Sequence, residues 1–280
     1  MISDLLPDPY KSLQIKAKRD MYRLLSGNFL SSLHGDGYDF AQLREYQIGD
    51  DIRKINWTIS AKLNKPYIKE LHSNKELSIV VASLMDGSLY FKDGNKKQDK
   101  ITEVATILGY ASQNSNDLFR GVIYTQDNIY STPPTKQLYH IEEFSKRLFE
   151  AKLLKTTLDR QSAIDELFGR IEKRSIIFIL SDGLEYIDLS LLSQKHEVVV
   201  ISVRDEEEIT PSPWGEVTLQ SPQNDQRVER FFNKRAIRDY LKKLQAHDER
   251  QREHFDRYNI SHTTITTDDD SVVSLMRLFG

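Results

Sequence analysis

Three short, nearly continuous apolar runs constrain this chain more than any other feature. They are Leu77-Ser78-Ile79-Val80-Val81-Ala82-Ser83-Leu84-Met85, Ser175-Ile176-Ile177-Phe178-Ile179-Leu180-Ser181 and Glu197-Val198-Val199-Val200-Ile201-Ser202-Val203. Each reads as a strand apolar on both faces, which is stable only when helices cover it above and below. That is the position of a central strand in a parallel sheet.

The intervening stretches have the spacing such a sheet requires. Thr102 to Ala111 repeats its apolar residues at helical period, as do Leu138 to Leu153 and Ala163 to Ile171. Leu118 to Tyr124 reads as a further strand that Asn128-Ile129-Tyr130 can join, and Thr263-Thr264-Ile265 reads as the last. Asp225 to Tyr258 reads as one long, highly charged helix, and Asp269 to Phe279 as the final one. Near the start, Lys11 to Leu30 predicts a helix whose stripe of Leu13, Ile15, Met21, Leu24 and Leu25 docks on something later in the chain, with Gly27 and Asn28 as its stop. The stretch His34 to Gln47 reads as turns and irregular structure. The fold class is therefore α/β, a doubly wound and mostly parallel open sheet. Residues 1–75 form an N-terminal segment and 76–280 the sheet domain. Ligands of such sheets sit at the carboxyl ends of the strands, which singles out Asp86 and Asp182, each directly following an apolar run.

Composition removes several functions. The 280 residues contain no cysteine, so disulfides, thiolate nucleophiles and thiolate metal sites are excluded. A formal net charge of -3 and a pI near 6.2 argue against nucleic acid as a partner, because neutralising phosphates takes a basic face. The first residues, Met1 to Asp8, lack the basic-then-apolar order of a secretory signal. No stretch approaches the roughly 18 apolar residues of a membrane helix. The expected compartment is the cytoplasm.

The densest local signal lies between Gly35 and Trp57, where paired charges stand close to Tyr46 and Trp57. Arg44 and Arg53 have Glu45, Asp50 and Asp51 nearby in sequence to fork onto, and Gly49 takes a positive φ cheaply ahead of Asp50. Such a segment serves either as a clasp against the sheet domain or as a docking surface, since Arg, Tyr and Trp dominate binding hot spots.

This order of residues resembles the signature of the bacterial family known as domain of unknown function number fifty-eight. Phe40, Leu43-Arg44-Glu45-Tyr46, Gly49-Asp50-Asp51, Arg53, Ile55-Asn56-Trp57 and Ser60-Ala61 match it in order, with Asn56 where Asp is common. The resemblance implies a von Willebrand A-like domain after the signature. It also implies action beside a MoxR-type AAA+ ATPase in protein maturation or assembly. Some relatives carry membrane helices before the signature, and this chain shows none.

The same resemblance raises the question of Mg²⁺. Domains of this kind often hold the ion in an Asp-x-Ser-x-Ser loop completed by a Thr and an Asp from two other loops, a set of hard oxygen donors suited to it. Asp86-Gly87-Ser88 matches the first three positions, but Tyr90 stands where the second Ser belongs. The resemblance points to Thr156 or Thr157 for the second loop, between which spacing does not choose, and to Asp182 for the third. The other reading of Asp86 and Asp182 is that they accept hydrogen bonds from loop amides and organise the edge. A phosphatase using Asp86 as nucleophile needs a second carboxylate two residues on, where Ser88 stands, and no loop has the glycine pattern of a nucleotide site.

Other polar groups read as surface. His247 and His254 share one face of a charged helix, and Thr267-Asp268-Asp269-Asp270 reads as a helix cap. Trp214, between Pro213 and Gly215, reads as core or contact with nothing to separate the two. The expected function is a non-enzymatic adaptor or co-chaperone. A metal-dependent hydrolase using the Asp86/Asp182 edge is the alternative.

Overall fold

The apolar runs become the middle of one sheet. The computed structural model describes residues 8–26, 40–47, 50, 52, 55, 57, 60–61, 65–71, 76–92 and 94–279. In chain order its strands are β1 (Phe40–Glu45), β2 (Tyr67–Leu71), β3 (Ser78–Leu84), β4 (Leu118–Tyr124), β5 (Ile129–Ser131), β6 (Ile176–Ser181), β7 (Glu197–Arg204), β8 (Gly215–Gln220), β9 (Arg227–Phe232) and β10 (Ser261–Thr266). Its helices are α1 (Pro9–Ser26), α2 (Lys96–Asn114), α3 (Leu138–Glu150), α4 (Arg160–Arg170), α5 (Ser190–Lys195), α6 (Glu206–Ile209), α7 (Lys234–Arg257) and α8 (Ser271–Phe279).

Six strands form the main sheet in the order β10-β7-β6-β3-β4-β5, all neighbours parallel except the edge strand β5. Alternate side chains of each strand enter two separate cores. Ile79, Val81, Phe178 and Ile201 pack on one face against α1, α2, α3 and α8. Val80, Ala82, Ile177 and Val200 pack on the other against α4, α5 and the end of α7. This two-sided burial is what a strand without polar alternation requires. The first crossover leaves β3 toward β4, whereas the later strands are added beyond β6 on the other side. The strand order therefore reverses between β3 and β6, where ligand crevices form in open sheets.

Helix α2 is buried along most of its length because it is trapped between the sheet and the layer of α1, α3 and α8. Its polar residues are satisfied internally. Thr102 Oγ1 donates to Gln98 O at 2.8 Å and Thr106 Oγ1 to Thr102 O at 2.6 Å. The expected docking of the first helix is found here through Met21 and Leu24, joined by Ala17, whereas Ile15 of the expected stripe is 72 % exposed. Lys16 Nζ reaches Glu103 at 2.7 Å, and Ser271 Oγ reaches the other oxygen of that carboxylate at 2.6 Å, so α1, α2 and α8 meet at one acid. Asp270 Oδ1 caps α8 by accepting from Val272 N at 2.9 Å.

Three sequence expectations are corrected. Phe40–Glu45, expected to be irregular, is a strand paired antiparallel with Tyr67–Leu71, a partner too distant in sequence for any turn signal to reveal. The stretch from Asp225, expected to be helical throughout, begins with strand β9, which pairs with β8 as a hairpin. Helix α7 starts only where Asn233 accepts from Arg235 N and Ala236 N, both at 3.0 Å. Third, His254 does not lie on a solvated face. It is buried, accepts from Leu189 N at 3.0 Å through Nε2, and pairs through Nδ1 with Tyr186 Oη at 3.1 Å.

Burial of His254 pulls its pKa below the ordinary imidazole value, with Asp188 opposing the shift, and burial does the same to His196. An unfolded chain then takes up these protons first, so the stability they contribute is complete above about pH 6.5 and is lost as pH falls through the folded pKa. Thermal melts followed by circular dichroism should show the midpoint falling between pH 7.5 and 5. In His254→Gln the fall should be smaller.

Candidate functional site

Register sets the site. Ser83 lies opposite Leu180, so β3 and β6 leave the sheet side by side, and Asp86 and Asp182 follow within three residues. Both are completely buried. The sequence-predicted pair is thus brought together on one rim at the switch point.

A side chain that the sequence reading did not single out sits between them. Arg160 is only 3 % exposed, and its Nη2 lies 3.3 Å from Asp86 Oδ1, 3.3 Å from Asp182 Oδ1 and 2.9 Å from Ser88 Oγ. Its Nη1 forms an ion pair with Glu185 Oε1 at 2.5 Å. Arg160 opens helix α4 behind the cap Asp159, which accepts from Ser162 N at 3.0 Å. A cation in a first helical turn opposes the helix dipole, so this placement requires acids from elsewhere in the fold. That was the available signal.

Asp86 collects further donors. Oδ1 accepts from Ser88 N at 2.9 Å and Ser88 Oγ at 2.6 Å, and Oδ2 accepts from Leu158 N and Gln223 Nε2, each at 3.2 Å. Asp182 Oδ1 also accepts from Leu184 N at 3.2 Å, whereas its Oδ2 is buried without a hydrogen-bond partner. Burial is the largest influence and pushes the Asp182 carboxyl up, but the Arg160 guanidinium, Lys97 and hydrogen bonds from Ser88 and Leu184 together hold it below the ordinary carboxylate value. Gly183 follows with φ of +65°, and a Cβ there would lie 2.3 Å from Ser202 Oγ. Its carbonyl accepts from Arg204 Nη2 at 2.9 Å, and Arg204 is itself clamped by Asp248.

The tip of the β8–β9 hairpin folds over this rim. Pro222 O accepts from Lys155 N at 2.7 Å, and Lys155 Nζ meets Asp225 at 2.5 Å. The tip rests so closely on Gly87 that a Cβ there would come within 2.5 Å of Pro222 O. Beside it opens a groove of about 970 Å³ lined by Ser88, Tyr90, Phe91, Lys92, Leu184 and Trp214, among others. Trp214 stacks on Phe232 with ring centroids 5.1 Å apart, and Lys92 Nζ lies 5.6 Å from its ring centroid.

The remaining predicted residues are placed as follows. Thr157 is exposed and uses its backbone N to bond Gln126, while Thr156 Oγ1 donates to Leu153 O at 2.7 Å. Their loop does border the site, since Gly87 N donates to Thr156 O at 3.1 Å. In the signature, Arg44 pairs through its backbone with Ile68, Glu45 accepts from Lys65 Nζ at 2.7 Å, and Tyr46 N bonds Pro66 O at 2.8 Å. Asp50 Oδ2 accepts from Gln47 N at 2.9 Å, and Trp57 is 67 % exposed. Gly49, Asp51 and Arg53 lie outside the described residues, as does the side chain of Arg44.

A family model described as "Protein of unknown function DUF58" matches residues 42–252. The chain is similar to Uncharacterized protein Rv1480 of Mycobacterium tuberculosis, at 24 % identity over 82 % of this chain and 74 % of that protein. Among solved structures it is similar to the conserved hypothetical protein BatB from Bacteroides thetaiotaomicron, with TM-score 0.43 and 11 % identity over 72 % of this chain and 96 % of that one. It is also similar to an aerotolerance-related membrane protein from Bacteroides fragilis, with TM-score 0.42 and 13 % identity over the same shares. Neighbours of this kind are described as membrane proteins, and the cytoplasmic location expected from the sequence is not confirmed. No helix among the described residues is long and apolar enough to cross a membrane.

Two outcomes are expected. Arg160→Ala leaves two adjoining buried carboxylates without their cation and should lower the unfolding free energy in urea by about 3–5 kcal/mol. Gly87→Ala should push the hairpin tip off the rim, read as faster amide hydrogen exchange over residues 219–227 with little change in the main sheet.

Proposed function

Taking as premise that the chain belongs to the DUF58 family of proteins of unknown function, we propose that it is a non-catalytic adaptor or co-chaperone. In this reading it is built on a von Willebrand A-like sheet and works with a MoxR-type AAA+ ATPase in protein maturation or assembly. The observation that carries this reading is the state of the rim acids. Asp86 accepts from five donor atoms and Asp182 shares the same guanidinium, with both side chains fully buried. General acid–base or nucleophilic work needs a carboxylate within reach of a substrate, and these two are engaged in holding loops together.

The groove beside them has the chemistry of a protein contact. Phe91, Trp214 and Tyr90 offer large, rigid apolar surface, and Lys92 adds a cation at its edge. Aromatic side chains of this kind carry most of the binding energy at protein interfaces. Trp214, ambiguous in sequence, belongs to this wall. The ATPase is the partner that the family resemblance implies, and the exposed Trp57 of the signature is a second contact candidate.

The test is recovery of partners by the tagged full chain from native lysate. An AAA+ ATPase or its client should co-purify, and Trp214→Ala should reduce the recovered amount by about tenfold. Recovery of neither would overturn the reading. A phosphatase and esterase screen with Mg²⁺ or Mn²⁺ should stay silent; turnover lost in Asp86→Asn would put a metal-dependent hydrolase in its place.

A further inference from the structure

Mg²⁺ at a site of this kind needs oxygens around an open position about 2.1 Å away. Three oxygens do converge here, from Asp86, Ser88 and Asp182, but the point they surround is already filled. It holds Arg160 Nη2, at 2.9 to 3.3 Å from all three. The residues present therefore do not fit a resident ion while Arg160 keeps this position. Tyr90, in place of a serine ligand, lines the groove, and neither Thr156 nor Thr157 has its hydroxyl bonded to the rim acids.

We propose that the Arg160 guanidinium occupies the place of the divalent cation, so that this strand-end rim is assembled and works without metal. The surroundings follow the same logic. A guanidinium offers up to five N–H donors on a fixed plane, so one side chain can face several acids at once. Nη2 serves the two aspartates and the serine, and Nη1, itself buried, pairs with Glu185. Glu185 is half-exposed, so the chain's own carboxylate fills the outer position at which an ion would meet an acidic ligand. The guanidinium is also covalently tethered. It cannot dissociate, and its charge persists across the accessible pH range. Chelators should leave the rim intact, and recognition should depend on the neighbouring groove rather than on a metal-bridged acid. The proposal concerns the rim itself and does not depend on the adaptor reading.

The test uses the full chain freed of metal by EDTA and titrated with MnCl₂. Paramagnetic broadening that is strongest at the Gly87 and Gly183 amide signals reports an ion at this site. The wild-type protein should show no selective broadening, and its melting temperature should be the same in Mn²⁺ and in EDTA. Arg160→Ala should melt lower, show broadening at both glycines, and recover part of the lost melting temperature when Mn²⁺ is added. Selective broadening in the wild type would overturn the proposal, as would a folded Arg160→Ala that gains no Mn²⁺ binding. Should Arg160→Ala not fold in either buffer, the wild-type titration decides: broadening overturns the proposal and its absence supports it.

Discussion

The rim at the strand ends depends on one guanidinium group. Arg160 holds together the loop after β3, the loop before α4 and the loop after β6, which arrive from both halves of a sheet whose strand order reverses there. Bringing Asp86 and Asp182 into a dry interior is costly, and their mutual repulsion adds to the cost. The arginine offsets both at once, and the backbone amides of Ser88, Leu158 and Leu184 take much of the remaining lone-pair capacity. Compensated in this way, the acids act as fasteners.

Two further buried cations extend the arrangement outward. Arg204 grips Asp248 of α7 and the carbonyls of Asp182 and Gly183, which fixes the long helix against the β6 loop. Lys97 donates to Glu208 at 2.8 Å and ties α2 to α6 beneath the aromatic wall. Arg160, Arg204 and Lys97 each have their acids on other elements. The groove is therefore walled by parts that cannot shift independently, and a rigid wall gives up less entropy on binding a partner. The hairpin completes this surface, since its tip rests on Gly87 and its base carries the stacked pair of Trp214 and Phe232.

The legible and illegible parts of the sequence divide along a physical line. Buried strands announce themselves because their environment demands one residue class at every position, and β3, β6 and β7 fall where the apolar runs lie. The hairpin β8–β9 is mostly exposed, so no periodic burial marks it, and the charges of Arg227, Glu229 and Arg230 suit a helix equally well. His254 was misread for a related reason. Charged residues surround it in the sequence of α7, and burial comes from the loop around Leu189, which the helical pattern does not encode.

The sequence by itself determined the layered sheet, the family, and the two acids at the strand ends, because these depend on local composition and on fixed spacing along the chain. Only the tertiary structure decided what those acids do. Whether a buried carboxylate meets a metal, a substrate or a guanidinium depends on which side chain the fold brings to it, and Arg160 arrives on Asp86 across 74 positions and on Asp182 across 22. Charge compensation in a dry interior acts through distance in space. Order along the chain carries no record of that distance.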